Sequence, residues 1–297
     1  MTVYGIQIDA DCSLPLRLPE RGEALASVSL RRVVDSLSRK SHRLLRHNLY
    51  TLHGRRISLR SAKGPGIPPD PGDLLEIHID GVIRFSWCHG TARIEYRFEA
   101  AEDNELLAFW LLHLIIPFYL SLERRAVIFH GSALRIDGRT LLLVAPYQAG
   151  KSTLTDRLLQ RGHTLVTDDI LATYTEPSGR IFCVGSHPYR QPHKRQESLG
   201  VYTENYFGDP QTIERICFLE KWETDEIDIR PVSGVEKFMT LQKHGLIFSA
   251  ASLSRLHQQH LMKLVAQTPA YRLRRPWDLS RLDAVAEALE RHLRSET

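Results

Sequence analysis

Residues 140–169, TLLLVAPYQAGKSTLTDRLLQRGHTLVTDD, restrict the fold more than any other part of the chain. TLLLV reads as a fully buried strand, STLTDRLLQ as a helix over 151–161, and HTLVTD as a strand over 163–168 that ends in two acids. Between the first strand and the helix lies a loop that closes on Gly-Lys-Ser. A strand, loop, helix and strand in this order imply an α/β domain whose ligand sits at the carboxyl ends of the strands. The strands 140–144 and 163–168 are expected to lie side by side in parallel.

The loop matches [AG]-x4-G-K-[ST], a pattern that average composition produces by chance in roughly 2% of chains this long. The strand before it and the helix after it are the context a phosphate-binding loop needs. Backbone N–H groups of such a loop and of the helix N-terminus point at phosphate oxygens, and the helix dipole favours the negative charge. Gly150 lets the backbone approach without a Cβ. Lys151 would reach the β- and γ-phosphates, and the Ser152 hydroxyl would ligate Mg²⁺. The nucleotide-binding set is therefore Ala145, Pro146, Tyr147, Gln148, Ala149, Gly150, Lys151, Ser152 and Thr153. Ala145 stands where a first glycine is usual, and Tyr147 and Gln148 stand where small residues commonly sit.

Asp168 and Asp169 close the second strand. One acid there can hold Mg²⁺ and the other can accept a hydroxyl proton; the alternative is a plain strand-end turn, where Asp is common. His130-Gly131-Ser132 follows AVIFH, one strand before the loop. Such a histidine is either a packed core group or part of the same site.

The rest of the chain sets the frame. Its 297 residues suffice for two domains, and 42% hydrophobic with 25% charged residues is ordinary for a folded globular protein. A net charge of +4 permits an anionic ligand without singling out nucleic acid, and no nucleic-acid partner is expected. Four scattered cysteines, Cys12, Cys88, Cys183 and Cys217, argue against a zinc site or a disulfide framework and fit a reducing cytoplasm. No signal peptide is read at the N-terminus. The apolar run 106–122 contains His113 and Pro117 and reads as a buried core helix rather than a membrane span. Residues 1–103 read as a smaller β-rich domain, with an interrupted helix expected over 26–48, and residues 104–297 as the α/β domain. IDGR at 136–139 reads as a hairpin turn. Further strands are expected over 170–175, 214–220 and 225–230, with helices over 234–243 and 280–294.

Taken together, FHGSA, APYQAGKS and QRGHTLVTDD resemble the catalytic domain of the HPr kinase/phosphorylase family, in the same order and spacing. The resemblance covers about 126–175 well and 176–297 loosely. It implies a P-loop kinase domain that uses ATP and Mg²⁺, with Lys151 binding phosphate, Ser152 and Asp168 on the metal, Asp169 accepting the proton of the attacking hydroxyl, and His130 near the γ-phosphate. The opening VYGIQIDADCSLPL and the late YRLRRPWDLSRLDAVAEAL resemble HPr-kinase-like proteins of lasso peptide biosynthesis, which phosphorylate a serine at the precursor's C-terminus. The partner implied is a peptide or small protein with an acceptor serine, with no membrane partner and a homo-oligomer left open. HPr itself, free serine, or nucleotide binding without transfer are the alternatives. The family's second Mg²⁺ carboxylate has no counterpart at its usual place, where Glu197 is the nearest acid. The polar stretch 185–209 is either a flexible, solvated surface loop or a segment that closes over substrate; from it Arg190, and at a later strand end Arg230, are candidate contacts to phosphate or a peptide carboxylate.

Overall fold

The computed structural model of the chain describes residues 1–19, 24–34, 44–64, 67–123, 126–146, 148–191, 197–223, 225–245 and 255–295. The fold is mixed α/β with several sheets. Contacts divide it into two compact units, one of Met1–Arg125 with Arg195–Leu199 and Ile247–His257, the other of Ala126–Lys194 with Gly200–Leu246 and Gln258–Thr297.

The first unit is built on an eight-stranded sheet. Its strands are β1 (Thr2–Val3), β2 (Ile6–Ala10), β3 (Ala26–Arg32), β4 (Leu45–Leu52), β5 (Arg55–Ser61), β6 (Leu74–Ile79), β7 (Ile83–Cys88) and β8 (Arg93–Phe98), in the order β1-β2-β3-β8-β7-β6-β5-β4. Among the described residues, the helix expected over 26–48 is replaced by strands. Residues 26–32 and 45–52 are strands, and 35–43 lie outside the described residues. In β3 only Val28 and Leu30 are fully buried, a period of two rather than 3.6, and the parallel partners β2 and β8 settle the choice. The apolar run is a helix: α1 (Asn104–Trp110) passes through a π-helical turn at Leu111–Ile115 into α2 (Ile116–Glu123). Asp103 caps its start by accepting from the N–H groups of Glu105 and Leu106. Asn104–Glu123 is long and apolar enough to cross a membrane, but 72% of its most apolar window is buried inside the protein. Phe118 and Tyr119 pack edge-on against Trp87 of β7, and the Trp87 indole N–H donates to Glu123.

The second unit has two sheets. The larger runs β12 (Thr164–Thr167), β10 (Ser132–Ile136), β11 (Arg139–Val144), β18 (Arg215–Trp222), β20 (Ala270–Pro276), β19 (Asp228–Val232), in that spatial order. The smaller runs β17 (Gln211–Thr212), β14 (Ile181–Val184), β13 (Ile170–Thr175), β9 (Val127–His130). A separate two-stranded ribbon pairs β15 (Tyr189–Arg190) with β16 (Val201–Tyr202). The helices are α3 (Lys151–Gln160), α4 (Gly234–His244), α5 (Arg255–Gln267) and α6 (Leu282–Ser295). Strands of the larger sheet are covered on both faces, so they read as continuous apolar runs. Leu142, Val144, Ile216 and Phe218 face a core shared with the smaller sheet, Leu241 of α4 and Leu261 and Leu264 of α5. Leu141, Leu143, Cys217 and Leu219 face Leu154 and Leu158 of α3 and Val285, Leu289 and Leu293 of α6.

The hairpin at 136–139 forms as expected: Ile136 pairs with Arg139, and Asp137 and Gly138 both have positive φ, 50° and 82°. The expected side-by-side pairing of 140–144 with 163–168 does not occur. β10 lies between β11 and β12 and is antiparallel to both. The two strands still run in one direction, so their carboxyl ends remain on the same side of the sheet, with the start of β10 between them.

Candidate functional site

The chain passes from one sheet to the other at two adjacent points. At Gly131 it leaves β9 for β10, and at Asp168-Asp169 it leaves β12 for β13. The Gly131 N–H donates to the Asp169 carbonyl at 3.0 Å, His130 pairs with Ile170, and Ala133 with Thr167. A Cβ at 131 would stand 2.9 Å from the Leu143 carbonyl oxygen, which is why a glycine serves there. Asp169 turns the corner with a φ of 73°, a left-handed conformation that Asp tolerates better than most residues. Such strain outside glycine is concentrated at functional sites.

The loop after β11 delivers the other half. The Ala149 N–H donates to the Pro146 carbonyl at 3.1 Å, Gln148 has a φ of 61°, and Gly150, at 79°, is the residue just before α3. Lys151 is the first helical residue. Its buried side chain returns under the loop, where the ammonium donates to Ser132 Oγ at 3.2 Å and lies 3.9 Å from both Asp168 Oδ1 and Asp169 Oδ1. The Ser132 hydroxyl donates to Asp168 Oδ1 at 2.6 Å. His130 Nδ1 lies 3.3 Å from Asp169 Oδ1. Asp168 is buried whereas the Asp169 side chain keeps 36% of its surface open, so the second acid is the one a ligand can reach.

These groups border a cavity of about 410 Å³ lined by His130, Pro146, Gln148, Gly150, Lys151, Ser152, Thr153, Asp169, Gln191 and Trp277. Among the sequence candidates, the structure thus brings His130, Lys151, Ser152, Thr153 and Asp169 together, with Asp168 directly behind. Ala145 and Ala149 are buried against α3 and shape the loop from below. Tyr147 lies outside the described residues, as do His193, Lys194 and Arg195 of the 185–209 stretch.

A larger cavity of about 750 Å³ adjoins the same loop at Pro146 and is walled by Val144, Phe218, Glu220, Lys243, His244 and Arg272, among others. Burial, reinforced by the positive charges of His130, Lys243 and Lys151, pushes the His244 pKa down to about 4.

Three further candidates do not line this cavity. Arg190 is committed elsewhere: its guanidinium pairs with Asp156 of α3 and donates to Thr203 Oγ1 at 2.6 Å, which anchors the ribbon beside the cavity and leaves the neighbouring Gln191 to line it. Arg230 sits on β19, the outer edge of the large sheet, paired with Asp228 at 2.8 Å and absent from the cavity wall. Glu197 belongs to the first unit, where its carboxylate accepts from Arg55 at 3.1 and 3.0 Å and from the Trp110 indole at 3.1 Å. Ser132, Arg275 and Trp277 also stand at or beside the site, and no local motif gives them a role: Ser132 bridges Lys151 and Asp168, Arg275 holds the Ala149 carbonyl, and Trp277 lines the cavity.

No family model matches the sequence. Over 119 residues the chain is similar to HPr kinase/phosphorylase. The proteins of that name from Lacticaseibacillus casei (strain BL23) and Lacticaseibacillus paracasei are each 34% identical to it over that span, which is 38% of this chain and 36% of theirs. The chain thus spans about a third of the length of the curated relatives it matches. Among solved structures, the Hpr(Ser) kinase/phosphatase from Coxiella burnetii aligns with 57% of this chain and 89% of its own, at 13% identity and a TM-score of 0.35.

Proposed function

We propose that the chain is an ATP- and Mg²⁺-dependent kinase that moves the γ-phosphoryl group onto a serine or threonine hydroxyl of a peptide or small protein. The observation that carries this is the convergence of Lys151, Asp169 and His130, with Asp168 buried behind them, on one cavity lined by a glycine-bearing loop and a helix N-terminus. The partial similarity to HPr kinase/phosphorylase supports the same reading.

The loop N–H groups and Lys151 hold the phosphates. Asp169 accepts the proton of the acceptor hydroxyl as its oxygen bonds to the γ-phosphorus and the bond from that phosphorus to ADP breaks. A carboxylate is a weak base, but phosphoryl transfer depends mainly on alignment and charge stabilisation. His130 and Lys151 hold Asp169 ready. Mg²⁺ fits the donor set, since Ser152 and Asp168 offer hard oxygens and the ion commonly takes one or two protein ligands alongside phosphates and waters. Among the described residues no group of three or more His, Cys, Asp or Glu gathers to hold a metal, so the ion would depend on phosphate oxygens as well. When bound, Mg²⁺ would offset the negative charge of the phosphates.

The narrower acceptor is the C-terminal serine of a lasso peptide precursor, on the likeness of residues 3–16 and 271–289 to that group. The test incubates the protein with Mg-ATP and either such a precursor or HPr and reads intact masses. One phosphoryl gain on the precursor is expected, with transfer by Asp169→Asn down at least about 100-fold while ATP still binds. A gain on HPr alone would reassign the acceptor. Transfer unaffected by Asp169→Asn would remove the catalytic role of that acid. No transfer to any acceptor despite ATP binding would leave a nucleotide-binding protein.

A further inference from the structure

The cavity of about 410 Å³ has one lining residue without a role so far, Trp277, which directly follows β20 and its Arg275-Pro276 end. Trp277 lines the cavity next to Gly150 and leaves 50% of its surface open. The ring is held in place: the Arg275 guanidinium lies 5.0 Å from its centroid and the Lys221 ammonium 5.2 Å. A Cβ at Gly150 would come within 3.2 Å of the indole, so Trp277 stands against the phosphate loop itself.

Arg275 supplies a second, independent sign of an anionic ligand. It is 4% exposed, and its hydrogen bonds go to two carbonyl oxygens, Ala149 at 3.0 Å and Pro276 at 3.2 Å. Its buried Nε has no hydrogen-bond partner among the described residues, and burial pushes its pKa down. A buried cation bonded only to neutral oxygens is costly until an anion comes near.

Strand order sets the direction of the ligand. The phosphate loop follows β11. On one flank lie β10 and β12, with His130 at the end of β9 just before the first and Asp168 and Asp169 just after the second; on the other, beyond β18, lies the end of β20, followed by Trp277. A nucleoside triphosphate whose terminal phosphate faces Asp169, and whose other phosphates lie along the loop, carries its nucleoside toward Trp277. We infer that Trp277 is the platform on which the nucleobase stacks, and that Arg275 is a positioning residue that fixes the loop through the Ala149 carbonyl. This rests on the nucleotide-binding reading above. Stacking on an indole accepts any base, because every base has a π-face. ATP and GTP should therefore bind with similar affinity.

Calorimetry with Mg-ATP, Mg-GTP and inorganic tripolyphosphate tests it on the full chain. Trp277→Ala should weaken ATP and GTP about tenfold and leave tripolyphosphate unchanged, while Trp277→Phe stays within about threefold of the parent. Equal ATP affinity in the parent and Trp277→Ala overturns the stacking and leaves nucleotide binding intact. An equal loss for tripolyphosphate also overturns it, since the indole would then act on the loop. A parent protein that binds none of the three overturns both the stacking and the nucleotide reading beneath it.

Discussion

At position 150 the absence of a Cβ lets the loop after β11 pass close to Arg275 and Trp277. The backbone there has a φ of 79°, and a methyl group would lie 1.9 Å from Arg275 Nη2 and 3.2 Å from the Trp277 ring. Gly138 has nearly the same φ, 82°, with nothing within 4 Å of its missing Cβ. The pair separates conformational strain from steric exclusion. Gly138→Ala should cost about 1 kcal/mol in urea denaturation and leave ATP affinity unchanged. Gly150→Ala adds the displacement of a buried arginine that holds the Ala149 carbonyl, so ATP affinity should fall at least about tenfold. Equal ATP affinity in the two variants would show that the loop tolerates the displacement of Arg275.

At the scale of elements, the RGH of residues 161–163 ties α3 and β12 to the last helix. Arg161 donates to both oxygens of Glu290, at 2.8 and 2.9 Å, and His163 Nε2 lies 2.7 Å from Glu290 Oε1. The hydrogen bonds from Arg161, against an opposing effect of burial and with further help from His163, hold the buried Glu290 carboxyl at about 2 rather than its ordinary 4.5. A carboxylate depressed in this way contributes stability above pH 4.5, and that contribution is lost as pH falls toward 2. Glu290→Gln should therefore be less stable by about 2 kcal/mol at pH 7, with the gap closing between pH 4.5 and 2 in urea titrations of both proteins. A gap independent of pH would show that Glu290 acts by packing. The sequence revealed RGH as a marker, but its partner lies 129 residues from Arg161. The same distance hid other elements. β20 has the alternation of a strand in YRLRRP, but its central place depends on parallel pairing with β18, which no local pattern encodes. Arg275 and Ala149 meet across 126 residues. What local sequence did reveal was local in structure: α3 to within one residue, the 136–139 hairpin, and Asp168-Asp169 at the end of β12. The missed strand at 26–32 shows the converse, since a short apolar run fits either period until its neighbours choose.

Across the whole molecule, four cysteines report on the two units separately. Cys12 and Cys88 are half-buried in the first unit, whereas Cys183 and Cys217 are fully buried in the second. Burial pushes both of these thiols up to about 12, so neither offers thiolate to a reagent at pH 8. Cys183 lies in the core between the two sheets and Cys217 on the opposite face, under α3 and α6. Thiol labelling in rising urea, with each cysteine followed by peptide mass, therefore reads both layers of the second unit at once. The larger sheet contributes alternate residues of β11 and β18 to each core, so loss of either layer strips one face of the same strands. Cys183 and Cys217 should become reactive at one urea concentration, and a saturating nucleotide that binds only the folded unit should raise that concentration for both together. Separate midpoints would show that the layers melt independently. A nucleotide shift confined to Cys217 would show that the ligand stabilises the α3 face alone.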